Sequence, residues 1–185
     1  MKTILKNILV LAVMLGTYTS YATTTVEKIP TVSKVSKGDY ISVSDALGKV
    51  VYSGYANYNG NLKNLYDFSQ LKNGVYTVEI NKDFEIKINA VAVKNNQVTF
   101  IEDANQTIYK PVFRSKNARV IISKLALDTT EMVVELYYEG ESIHTETVKG
   151  NDVLNRVYKL DTSLKGEYQA VITTNNRVFV ENFRI

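Results

Sequence analysis

The 185-residue chain contains no cysteine and no tryptophan, only two prolines, and a single histidine, His144. Without cysteine there is no disulfide framework, no thiol chemistry and no attachment point for the lipid of a bacterial lipoprotein, so stability must come from packing alone. A lone histidine cannot assemble a zinc cluster. As a base for a serine nucleophile it would need an orienting carboxylate and a strained nucleophile turn, and no such motif is present. A surface or strand-packing role is therefore expected for His144. Phosphate-cradling glycine loops and Asp-x-Asp-x-Asp-Gly calcium loops are also missing. Glu102, Asp103, Glu139 and Glu141 read as solvated turn residues, since nothing in the pattern places a pair of them across a cleft as glycoside hydrolysis requires. Together these absences predict a protein that is not an enzyme and holds neither a metal nor a cofactor.

An excess of one charge is lacking too. The formal net charge is +3, and two of the lysines, Lys2 and Lys6, sit in a segment that reads as removable. Lys2 and Lys6 precede an apolar run from Ile8 to Leu15, and Ser20-Tyr21-Ala22 offers small residues at the −3 and −1 positions of a signal-peptidase site. Residues 1–22 are thus expected to be a cleaved signal peptide. The apolar run is well short of the roughly 18 residues of a membrane span, and no later segment approaches that length. In the remaining 163 residues the charges nearly balance, in each half as in the whole, so neither nucleic acid nor an anionic membrane is an expected partner. An exported protein follows, periplasmic or at the cell surface, and not a lipoprotein.

What the chain does contain is an internal repeat, and a repeat decides architecture. Residues Ile41–Val93 align without gaps on Val133–Ile185 at an offset of 92. Gly48 falls on Gly140, Leu62 on Leu154, Tyr66 on Tyr158, Gly74 on Gly166, Tyr76 on Tyr168 and Ile80 on Ile172. Replacements elsewhere conserve the physics, as in Ile41 to Val133, Val51 to Ile143 and Phe68 to Leu160. Within each copy β-branched and aromatic residues alternate with polar ones at a period of 2, the mark of half-buried strands. Tyr76-Val78-Ile80 and Phe84-Ile86-Ile88, joined by Asn81-Lys82-Asp83, predict a hairpin with one wet side. Further strands are expected over 39–46, 49–54 and 62–68, and over 131–138, 141–148 and 154–160 in the second copy. Ala90–Val93 and Val98–Ile101, flanking Asn95-Asn96, predict another hairpin. The polar stretch 102–107 reads as a linker, dividing the chain into β-sandwich domains at 23–105 and 106–185, with Pro111 suited to an edge strand. The fold class is all-β: two tandem Ig-like, fibronectin-like sandwiches. Leu71-Lys72-Asn73-Gly74-Val75-Tyr76, matched by Leu164-Lys165-Gly166-Glu167-Tyr168, adds a tyrosine corner to each, in which the tyrosine hydroxyl returns to the corner backbone.

Those residues bear a likeness to a known family. Val43-Ser44-Asp45-Ala46-Leu47-Gly48-Lys49-Val50-Val51-Tyr52, followed by Tyr66-Asp67-Phe68-Ser69-Gln70-Leu71-Lys72-Asn73-Gly74-Val75-Tyr76-Thr77-Val78-Glu79-Ile80, resembles the C-terminal sorting domains of type IX (Por) secretion system cargo in Bacteroidota. The resemblance covers most of the first domain and, more weakly, Val134–Ile185. It implies a small Ig-like sandwich in a secreted Bacteroidota protein.

Tyrosine is the one abundance, with 13 in the chain. Tyr55 and Tyr58 lie in the polar, glycine-bounded segment 54–60, where exposed rings could anchor a protein interface or stack on sugar. The repeat maps them onto Thr147 and Gly150, and Tyr52 onto His144, so any such site belongs to one domain alone. The expected function is non-catalytic interaction with a protein or adhesion at the bacterial cell envelope. The alternatives are a carbohydrate-binding module contacting cell-surface polysaccharide, or a secretion-sorting module. Oligomeric state is not written in the pattern.

Overall fold

The alternating β-branched and aromatic segments form antiparallel strands throughout the computed structural model, which describes residues 33–185. The expected signal peptide, residues 1–22, lies outside the described residues. In chain order the elements are β1 (Lys34–Val35), β2 (Tyr40–Asp45), β3 (Val50–Tyr55), β4 (Gly60–Asn61), the helical turn α1 (Leu62–Leu65), a 3₁₀ turn (Phe68–Gln70), β5 (Gly74–Asn81), β6 (Glu85–Lys94) and β7 (Gln97–Tyr109). There follow β8 (Val112–Lys116), β9 (Arg119–Leu125), β10 (Glu131–Tyr138), β11 (Glu141–Lys149), β12 (Val153–Lys159), β13 (Glu167–Thr174) and β14 (Arg177–Arg184). Ig-like, all-β architecture is what the alternation predicts and what forms.

One sheet runs β3-β2-β5-β6-β7 and another β11-β10-β13-β14, with a three-stranded layer β12-β9-β8 and a short pair β1-β4. Two hydrophobic cores result. The first gathers Ile41, Val43, Val78, Ile80 and Val91 from the five-stranded sheet under Val35, Leu62 and Phe68. The second gathers Val134, Leu136, Ala170 and Ile172 under Val120, Ile122 and Leu154. Each fully buried aliphatic side chain among these contributes about 1.5–3 kcal/mol by leaving water.

Four hairpins turn through two residues that are both left-handed: Asn95-Asn96, Asn117-Ala118, Glu139-Gly140 and Asn175-Asn176. That geometry matches the right-handed twist of the flanking strands, and asparagine tolerates it better than most side chains. Both corner tyrosines behave as the sequence implies. The Tyr76 hydroxyl donates to the Lys72 carbonyl at 2.8 Å, and that of Tyr168 to the Leu164 carbonyl at 2.9 Å. The glycines beside them keep ordinary backbone angles, so the corner does not depend on their left-handed freedom. Gly166 instead makes room, because a Cβ there would collide with the Glu139 carboxylate that accepts from the Glu167 amide.

Four expectations change. The strand expected over 62–68 is a helical turn followed by a 3₁₀ turn, although the aligned stretch 154–160 does contain β12. Asp67 caps the 3₁₀ turn by accepting from the Ser69 amide, which competes locally with ladder bonding. The linker expected at 102–107, and with it the boundary between residues 105 and 106, falls inside β7. Glu102 to Asn105 stand opposite the single residue Asn89 as a bulge of an exposed edge strand, which accounts for their polarity. The passage to the next strand is Lys110-Pro111. Ile86 and Ile88 pair with Asn81 and Glu79 rather than with inward residues, so they occupy the sheet face opposite Val78 and Ile80.

The fourth change concerns the ungapped alignment. Ile80 and Ile172 face Ile41 and Val134 respectively across their ladders, so the strands β2 and β10 correspond at an offset of 93 while β5 and β13 keep 92. The difference sits in the first hairpin. Asp45 accepts from the Leu47 and Lys49 amides around a turn that ends at left-handed Gly48, one residue longer than the Glu139-Gly140 turn. Beyond it both copies skip one residue in the ladder, Val51 and Ile143, and the 92-residue offset resumes.

Candidate functional site

Tyr55 and Tyr58 are exposed, at 69% and 73% of their surface. They do not share a loop. Tyr55 is the last residue of β3 and pairs with Tyr40 across the ladder, the two rings meeting edge-on at 5.1 Å. Tyr58 lies in the connection to β4. That connection is held by Ala56, which is buried and whose amide donates to the Asp39 carbonyl at 2.8 Å, and by Asn59, which accepts from the Lys37 amide. The rings are therefore displayed from a braced backbone.

Along the same margin Tyr52 is exposed and meets Tyr66 edge-on at 5.7 Å. Partial burial, and then the neighbouring Tyr52, push the Tyr66 hydroxyl above its usual pKa. The pair clasps the open side of the first core, joining β3 to the segment after α1. No charged side chain occurs anywhere on β3, and Val50, Val51, Tyr52 and Tyr55 all face solvent. The pattern reading singled out Tyr55 and Tyr58 but missed Tyr40 and Tyr66. Strand pairing could have supplied Tyr40, since it aligns with Tyr55 once the first hairpin is drawn.

At the aligned positions of the second sandwich stand His144 and Tyr158, with ring centroids 5.3 Å apart. Glu146 lies between them and β12: its carboxylate accepts from Arg156 Nε at 2.7 Å and from the Tyr158 hydroxyl at 3.1 Å. The Arg156 contact holds the Glu146 carboxyl below the usual carboxylate range, while burial and then Glu146 push the Tyr158 hydroxyl well above its own. His144 Nε2 is 3.8 Å from Glu146, too far for a hydrogen bond, and the imidazole packs against Tyr158 as one half of a clasp.

Between the two cores lies a cavity of about 760 Å³, lined among others by Phe84, Lys110, Leu125 and Val153. Three of the amines that border it are engaged within the chain. Lys82 pairs with Asp39 at 2.5 Å, Lys110 donates to the Lys82 carbonyl, and Lys124, with no side-chain exposure, pairs with Asp128. Desolvation lowers the Lys110 pKa, with Asp83 and Asp39 opposing it. Asp128 also accepts from the Tyr109 amide at 2.8 Å and from Asn175 at 2.6 Å, fixing the end of β7 against the β9–β10 turn and the β13–β14 hairpin. Among the described residues no group of three or more His, Asp or Glu side chains is placed to hold a metal ion. Nor is any helix among them long and apolar enough to cross a membrane.

Fold and site define an all-β, Ig-like protein that presents an uncharged, tyrosine-bearing strand edge on two packed cores. Residues 22–94 match the family described as a secretion system C-terminal sorting domain, which points to an exported protein. The match ends at the last residue of β6 and leaves β7 to β14 outside it. No curated protein matches the chain. Among solved structures, Drosophila OTK extracellular domains 3-5 align over 80% of this chain and 86% of that one, at 9% identity and a TM-score of 0.26.

Proposed function

We propose that this is a secreted, non-catalytic protein of two duplicated Ig-like modules that acts by contact at the bacterial cell envelope, with the margin of the first module as its contact surface. The module boundary is drawn at Lys110-Pro111 rather than at residue 105. One observation carries the reading: Tyr40, Tyr52, Tyr55 and Tyr58 are exposed around a strand free of charge. Tyrosines that remain in water on a braced backbone lose little entropy on binding, which is the economy of interface anchors. The second module spends its aligned positions on His144, Thr147 and Gly150, and its Glu146 network faces inward to β12.

Retention of the exported protein on isolated envelopes of its producer tests this. The wild type is expected to be retained, and Tyr55→Ser/Tyr58→Ser to be retained less. Loss of retention after protease treatment of the envelopes identifies a protein partner, and loss after periodate treatment a polysaccharide. Equal retention of wild type and double variant rejects the surface.

The family match favours a second reading, in which the module within residues 22–94 directs secretion. Deleting that module should then strand the protein in the periplasm, and export of the deleted form across the outer membrane would exclude a sorting role.

A further inference from the structure

We infer that β3 is an association edge for a second copy of this chain, joining two five-stranded sheets antiparallel across a two-fold axis. The inference rests on the reading that the first module's margin is a contact surface, and it names the partner.

Strand edges carry unpaired N–H and C=O groups, and secreted monomers blunt them with charge, proline or cover. Every other sheet edge of more than two residues among the described residues is blunted in this way. β7 carries Glu102 and Asp103, β8 carries Arg114 and Lys116, and β14 carries Arg177, Glu181 and Arg184. β12 carries Arg156 and Lys159, while β11 is charged and tied to β12 through Glu146. β3, Val50-Val51-Tyr52-Ser53-Gly54-Tyr55, carries neither charge nor proline, and among the described residues no strand but β2 pairs with it; its residues are exposed except for a half-buried Gly54. The second layer of the first core offers no long strand beside it, because the segment aligned with β12 is the helical turn α1.

A second copy suits this edge because the strand is self-complementary. In the antiparallel register centred on Ser53, Ser53 stands opposite Ser53 of the other copy, Tyr52 opposite Gly54, and Val51 opposite Tyr55. Aromatic and β-branched residues are favourable cross-strand partners, and here no like charges meet. The two-fold axis makes each contact twice, which closes the pair and leaves no growing end.

Sedimentation equilibrium of the purified exported protein over a concentration series tests the inference, with two single-lysine variants. Ser53→Lys places two ammonium groups near the axis, while Thr145→Lys makes the same change at the exposed, aligned position of β11. Wild type and Thr145→Lys should reach the mass of two chains, and Ser53→Lys should dissociate at concentrations about tenfold higher or more, since close like charges oppose association. Circular dichroism matching wild type secures the fold of both variants. A wild type that stays monomeric throughout, or a Ser53→Lys protein that pairs as tightly as wild type, overturns the inference. A monomer that is still retained on envelopes through Tyr55 and Tyr58 overturns this pairing alone and leaves the contact surface standing for a different partner.

Discussion

The two sandwiches share the order of their main strands, β3-β2-β5-β6 in the first and β11-β10-β13-β14 in the second, and they share the corner hydrogen bond of Tyr76 and Tyr168. They part company at one edge. In the second sandwich a full strand of the other sheet, β12, is tied to that edge by side-chain contacts converging on Glu146. In the first it faces a single helical turn, and the clasp is two neutral rings, Tyr52 and Tyr66. Corner and core positions keep a sandwich folded and so tolerate little change. An edge strand is freer to differ, and here β3 carries no charge while β11 carries Glu141, Glu146 and Lys149.

The comparison can be broken hardest at Asp128, which has no aligned carboxylate in the first sandwich, where the 93-residue offset of β2 and β10 places Val35. Asp128→Ala leaves Lys124 buried and unpaired and releases the Tyr109 amide, at an expected cost of about 3–5 kcal/mol. Chemical denaturation should show the second core unfolding first. Loss of both cores in one transition would mean that they are a single cooperative unit.

Next come the aligned leucines, Leu62 and Leu154, both without exposed surface. Each change to alanine should cost about 2–5 kcal/mol. Calorimetry should show Leu62→Ala lowering the first core's melting and Leu154→Ala the second's. Removing the corner hydroxyls is milder: Tyr76→Phe and Tyr168→Phe should each cost about 1 kcal/mol. Similar losses at the two corners sharpen the view that they do the same work, and a large inequality would count against it.

Smallest is the effect of acid on the clasps. Because the folded Glu146 carboxyl titrates below its usual range, its contribution is fully present above that range and is lost as pH falls through the lowered value. The tyrosine pair of the first sandwich holds no charge to lose there. Ring resonances of Tyr158 should therefore shift on acidification while those of Tyr66 stay still, and Glu146→Gln should abolish the shift.

How much of this was legible beforehand differs by element. Alternation revealed β5, β10 and β13, where one face is dry, and the glycine and tyrosine spacing revealed both corners. The 62–68 stretch misled because its apolar residues suit a strand as well as a helical turn, and the choice is made locally by Asp67. Residues 102–107 misled because an edge strand wet on both faces has the composition of a loop. The extra residue in the Asp45–Lys49 turn was hidden by Gly48 and Gly140, which keep the 92-residue spacing although the strands before them do not. Of the candidate site, Tyr55 and Tyr58 stood out by composition, whereas Tyr40 needed the strand pairing. The absence of charge on β3 means little until the other edges are seen to carry it.

Backbone hydrogen exchange compared between β3 and β11 of the exported protein tests the central claim most directly. The two strands occupy aligned edges, so a difference between them isolates what has diverged. The account predicts that the outward amides of β3 gain protection as concentration rises while those of β11 do not change. Exchange from β3 that is fast at every concentration, or that tracks β11 throughout, would contradict it.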